Sequence, residues 1–345
     1  MARVRLLPLD NDSLKGDLSL LFQSGHINFL IGAGASSPAI VPAGQIEQEV
    51  GQLRSEGKDA DADRTLCDLL AAIQTSCNRV LQNATEPADE DTLKSYVALL
   101  RHIETTLGER RTNVLPKQAT IFTTNYDIFL DVAMRSCGGL RLATGFDTVQ
   151  TADDECEYSS NAFSQATYDT GNLYDYRVEL PSLNLVKLHG CLSWKRDGER
   201  IIRRPILRDV PQTFTTTEEA SSFLALYDLV VPQQSKYHTA IMDRTYYELL
   251  RLYANALDRS NVLLIVFGFS FRDEHVLHIT RRALKNPTLR IVVFAYDTAA
   301  HEFLSNAFLA HNNVDVVAPT DGEKIDFDGF NEILKGSLPQ RTLPK

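Results

Sequence analysis

Four stretches of this chain share one shape: an apolar run that ends in small or polar residues. They are Leu30-Ile31-Gly32-Ala33-Gly34-Ala35-Ser36, Ile121-Phe122-Thr123-Thr124-Asn125-Tyr126-Asp127, Val186-Lys187-Leu188-His189-Gly190 and Val266-Phe267-Gly268-Phe269-Ser270. Each reads as a strand with Gly, Asn, His or Ser at its carboxyl end. Strands that alternate with helices favour a parallel, doubly wound sheet. Open α/β sheets bind ligands beyond the carboxyl ends of their strands. Four such ends therefore imply one shared pocket.

The remaining sequence fits around them. Asp12 to Ser24 carries Leu14, Leu18, Leu21 and Phe22 on one helical face, with Asn11, Asp12 and Ser13 as caps. His26 to Ile31 is a buried strand, and Gly32-Ala33-Gly34 turns the chain. Glycines here let backbone approach a phosphate, with the next helix aiming its amino end at it. Ser37 stands where a dinucleotide fingerprint has its third Gly, and a tight turn explains the glycines too. Gln45 to about Glu109 reads as helix, with one stripe at Leu66, Leu69, Leu70 and Ile73 and another at Leu93, Val97, Leu100 and Ile103. A loop at Asn83 to Asp91 separates them.

Thr148 to Leu180 is polar and irregular and could cover a pocket. Trp194 to Gln233 has hairpin character, with Asp197-Gly198 as the turn. Met242 to Leu257 is a helix, and wholly apolar Val262 to Phe267 suits a central parallel strand. Asp273 to Lys285 is the next helix. Ile291 to Phe294 and Val314 to Val317 are the last strands.

A formal net charge of -10 argues against broad binding to a nucleic-acid backbone, which needs clustered Lys and Arg. No apolar run reaches the ~20 residues that span a bilayer. Met1 to Pro8 lacks the apolar segment of a secretory signal, so a cytoplasmic protein is expected. Cys67, Cys77, Cys137, Cys156 and Cys191 are scattered, which predicts neither a disulfide framework nor a zinc ribbon.

The pocket would gather Gly32, Gly34, Asn125, Asp127, His189 and Ser270. A neutral His takes a proton from a hydroxyl or water near neutral pH. Asn offers donor and acceptor together. Asp127 accepts from an amide or stabilises developing positive charge. Such groups fit cleavage of a nucleotide glycosidic bond through an oxocarbenium-like state. Each also has a plain structural reading: Asp127 or Ser270 as helix caps, Asn125 as a turn residue, His189 as a structural side chain.

These four motifs, in this order, resemble those of the sirtuin superfamily, closest to the sirtuin-like domains of bacterial antiphage defence. The resemblance runs from about Ile27 to Asp297. It implies an α/β fold with a Rossmann-like, doubly wound parallel sheet that binds NAD+. One domain over 1–345 would have its core at 12–40, 118–147, 183–195 and 240–320. A helical insertion at 41–117 and loop or hairpin modules at 148–182 and 196–239 complete it. The resemblance implies Asn125 and His189 as the catalytic pair and Asp127 as a nicotinamide contact. Gly32, Ala33, Gly34 and Ser36 would contact phosphate, Gly268 and Ser270 phosphate or ribose, and Thr124 and Asp297 the nucleotide. Two positions depart from the family pattern. Thr124 stands where a deacylating sirtuin has Gln, and Cys191 is alone where that enzyme has four zinc cysteines. The resemblance therefore implies an NAD+ hydrolase without zinc that depletes NAD+ in abortive infection. A protein deacylase or ADP-ribosyltransferase is one alternative, and a non-catalytic nucleotide-sensing scaffold another. It also implies a homo-oligomer and control by a helicase- or translocase-type ATPase.

Overall fold

The computed structural model describes residues 2–41, 44–110, 114–146, 156–171, 177–198, 200–204, 216–224, 229 and 244–338. Its centre is an eight-stranded sheet in the order β1-β13-β12-β11-β2-β3-β8-β4. These strands are β1 (Arg3–Leu6), β2 (His26–Ile31), β3 (Gln118–Thr123), β4 (Arg141–Ala143), β8 (Ser182–Lys187), β11 (Val262–Phe267), β12 (Leu289–Phe294) and β13 (Val314–Ala318). Every neighbouring pair is parallel. All residues of β8, β11 and β13 are buried, so both faces of the sheet are covered, as a doubly wound Rossmann-like sheet requires.

From β2 the chain passes to β3, goes out to the edge strand β4 and comes back to lay β8 between β3 and β4, then crosses to the other side and adds β11, β12 and β13. The switch point therefore falls between β2 and β11, and the carboxyl ends there are where a ligand belongs. β5 (Cys156–Glu157), β9 (Trp194–Asp197) and β10 (Arg200–Arg203) form a side sheet, with the expected turn at Gly198. β6 (Tyr168–Asp169) pairs with β7 (Val178–Glu179). Parts of the polar excursion and of the second hairpin module, 147–155, 172–176, 205–215 and 230–243, lie outside the described residues.

The insertion is three helices, Gly44–Ser55, Asp59–Leu81 and Pro87–Gly108. Pro87 starts the last of these instead of lying in a loop. Glu86 and Asp89 close a capping box around it, and Pro at the first helical position loses no needed donor. Leu66, Leu69, Leu70 and Ile73 are buried as the pattern predicts. In the third helix the buried face runs through Tyr96, Leu99, Leu100, Ile103 and Leu107, with Leu93 and Val97 at its margin.

Two boundaries and one element differ from expectation. The sheet begins at β1, before residue 12, because Arg5 is a buried cation paired with Asp315 of β13 at 3.0 Å and with Asp17. The core also runs past residue 320 to the helix Phe327–Gly336. There Phe330 stacks on Phe267 with ring centroids 4.4 Å apart. Beyond the Gly turn stands a short 3-10 turn, Ala33–Ser36, not an α-helix, so no helix dipole faces that loop directly. Among the described residues no helix is long and apolar enough to cross a membrane.

Candidate active site

The sheet register aligns the motifs. Phe267 pairs with Ile31, Ile31 with Thr123, and Thr123 with Lys187. The residues that follow, Gly268, Gly32, Thr124 and Leu188, leave one edge together. Gly268, at a φ of +66°, occupies backbone space that side chains rarely adopt. A Cβ there would lie 2.5 Å from the amide nitrogen of Ala35, and one on Gly32 would lie 2.5 Å from the Gly268 carbonyl. Gly34 donates its N–H to that carbonyl at 2.9 Å. The two Gly turns thus pack backbone against backbone at the switch point. Close packing is a reason for these glycines that the expected phosphate contact did not include.

Asn125 is buried and its amide is locked. Nδ2 donates to the Gly32 carbonyl at 3.1 Å, to Ser36 Oγ at 3.0 Å and to Tyr96 OH at 3.4 Å. A carbonyl can only accept, so the Gly32 bond settles which end of the amide faces it. Oδ1 then points elsewhere, buried and without a hydrogen-bond partner. Buried acceptors are seldom left alone, and this one suits a donor from a ribose hydroxyl, a carboxamide or a water. Tyr96 reaches the site from the insertion, held by Phe129 at 6.1 Å and edge-on to Phe327 at 5.0 Å. Burial pushes its hydroxyl pKa up, so it stays a neutral group.

Beneath Asn125 lies a buried charged floor. Asp127 accepts from Ser36 Oγ at 2.6 Å and from the Phe129 amide at 3.0 Å, closing a side-chain turn ahead of the helix Phe129–Ala133, whose N-cap is Ile128. Burial raises its pKa against the pull of Lys187 and of these two donors. Each oxygen accepts one donor within the chain and keeps a second lone pair, so a nicotinamide amide could be added without breaking either bond. Lys187 pairs with Asp131 at 2.9 Å, donates to the Asp127 carbonyl and lies 3.2 Å from Cys191 Sγ. Burial opposes its charge, yet Asp131, Cys191 and Asp127 outweigh burial and raise its pKa. Among the described residues no three His, Cys, Asp or Glu side chains gather as metal ligands.

His189 sits just past β8 with its ring 6.5 Å from that of Tyr126. Its Nε2 lies 2.9 Å from Asp273 Oδ2. Asp273, not Ser270, is the N-cap of the helix Glu274–Ala283, through bonds from the His275 and Val276 amides. Burial raises its pKa, but His189 and the two amides more than offset this and hold it down at about 2. Ser270 is exposed and Thr124 half-buried. Asp297, past β12, caps the helix Thr298–Ala307 by accepting from the Ala300 amide at 2.8 Å. Gly32, Ser36, Asn125 and Asp127 therefore form one bonded cluster. Gly268 touches it, and His189 belongs to a second cluster across the edge. Asp273, Tyr96 and Lys187 are the polar residues at these clusters that sequence reasoning left without a role.

This arrangement defines a Rossmann-like α/β protein with a polar site at its switch point. The family model described as SIR2-like domain matches residues 119–317, more than half of the chain. The chain belongs to the SIR2-like domain family, whose members include enzymes that use NAD+. No curated protein matches it.

Proposed function

We propose that the protein is an NAD+ glycohydrolase that splits the nicotinamide–ribose bond with water, giving nicotinamide and ADP-ribose. The observation that supports this most is Asn125 Oδ1, a buried acceptor fixed in place beside the strand end that carries His189. The reaction leaves positive charge on the ribose and needs an incoming oxygen. Asn125 accepts from the ribose or the water, and three oxygens hold it so that no reorganisation is needed at the moment of reaction. His189 takes the proton released by the water or by a ribose hydroxyl. Asp127 acts one step back, holding Ser36 and through it Asn125. The Ala33 amide, which neighbours the internally bonded amides of Gly32 and Gly34, supplies a phosphate contact, with Ser270 and Asp297 at neighbouring strand ends for phosphate and ribose. Thr124, where a deacylating sirtuin has Gln, supports water as acceptor.

The setting that goes with this activity is NAD+ depletion in antiphage defence, by an assembly of several copies under control of a translocase-type ATPase. Chromatography of products from NAD+ tests the chemistry. Equal amounts of nicotinamide and ADP-ribose, with no added acceptor, are expected. Nicotinamide accompanied by ADP-ribosylated protein, or appearing only with an acylated peptide, would overturn hydrolysis in favour of transfer or deacylation. Light scattering that finds only single chains at micromolar concentration would overturn the assembly.

A further inference from the structure

A helix cap needs one carboxylate oxygen, and Asp273 uses Oδ1 for both amides of the turn it caps. Oδ2 is left for His189 Nε2 at 2.9 Å. Ser, Thr or Asn would cap this helix about as well, so capping alone does not explain an acid here. The placement is also unusual. His189 follows β8 and Asp273 follows β11, with β2 and β3 between them in the sheet. Three strand spacings of ~4.8 Å separate β8 from β11, so the two loops must reach toward one another to meet. Their bond joins the two arms of the sheet across the switch point.

A carboxylate only accepts, so Nε2 must carry a hydrogen, and in the neutral form of the ring the lone pair falls on Nδ1. The ring bonds Asp273, and His275 on the same helix is near enough to interact with it electrostatically. Asp273 remains ionised far below neutral pH, and its own charge is neutralised in part by the helix amides it caps.

We propose that Asp273 is a positioning residue for His189: it fixes the tautomer in which Nδ1 is the proton acceptor and holds the imidazolium that results. This rests on the reading of His189 as the base. The proton leaves the water or ribose hydroxyl for Nδ1, Nε2 keeps its own, and Asp273 stays a carboxylate throughout. A histidine oriented by a carboxylate in this way loses its preferred tautomer when the acid becomes an amide.

The test uses the full chain with nitrogen-15-labelled histidine, the His189 ring signals being assigned by their absence in His189→Ala. The expected wild-type spectrum shows hydrogen on Nε2 at neutral pH, and Asp273→Asn shifts it toward Nδ1. Nicotinamide release by Asp273→Asn should fall about 100-fold or more in kcat, with KM within about threefold. Asp273→Ser keeps a cap and loses the anion, so it should stay folded, with a lower melting temperature than the wild type, and show the same loss of kcat. A wild-type ring with its hydrogen on Nδ1 would overturn the proposal. So would either folded variant with wild-type kcat. If no preparation cleaves NAD+, the proposed activity fails, and the ring spectrum still decides the tautomer.

Discussion

The side-chain amide of Asn125 faces three oxygens, and two of them belong to hydroxyls that can turn. The third, the Gly32 carbonyl, cannot become a donor. Asn125→Asp would set a carboxylate oxygen against that carbonyl and beside buried Asp127, whereas Asn125→Ala only leaves acceptors unmet. The Asp variant should therefore lose about 2–4 kcal/mol, more than the Ala variant, in urea unfolding at neutral pH. Equal stability of the two would mean that the amide is not held as described. The placement of Asn125 and His189 just past strand ends was legible in the sequence, because a polar residue that follows an apolar strand has few other places to go. Asp273 was not, since it reads as the first residue of its helix with Ser270 ahead of it as the cap. It is a cap, with its second oxygen doing something that a one-dimensional pattern does not record.

Among the elements, the third helix of the insertion is where sequence and structure part most. Its apolar stripe reads as core, and Tyr96 does lie in the core, yet its hydroxyl ends among Ser36 and Asn125. Periodicity marks which face is buried but not which buried residue touches the site. Tyr96→Phe removes one hydroxyl and should cost about 1 kcal/mol of stability while lowering the rate of NAD+ cleavage about tenfold. An unchanged rate in steady-state assays would confine Tyr96 to a packing role. The glycine turns make a second element-scale prediction. Gly268→Ala adds a methyl group at positive φ within 2.5 Å of the Ala35 amide, so the two turns must separate. A loss of about 2–4 kcal/mol is expected, with activity falling together with it. A thermal melt equal to that of the wild type would contradict the backbone packing.

For the molecule as a whole, the parallel sheet was legible because its central strands are unbroken apolar runs flanked by amphipathic helices. The edges were not. β1 reads as polar because Arg3 and Arg5 break its pattern, and only the fold shows that Arg5 is paired across to Asp315 and Asp17. The helix Phe327–Gly336 closes the core at long range by stacking Phe330 on Phe267, a contact no local signal encodes. Acid stability follows from the same long-range ties. The Asp273 carboxyl is brought down from 3.8 to about 2, so its contribution is present above the unfolded value and lost as pH falls toward the folded one. That contribution is about 2 kcal/mol, and the stability gap between wild type and Asp273→Asn should narrow as pH drops from about 5 to about 2. A gap independent of pH would contradict the pairing. The account as a whole rests on cleavage of NAD+ by Asn125 and His189 at one sheet edge. Its most direct test is nicotinamide release by wild type, Asn125→Ala and His189→Ala, each shown to be folded by melting. Release by the wild type and a loss of about 100-fold or more in each variant are expected. A folded His189→Ala protein that releases nicotinamide at the wild-type rate would contradict it.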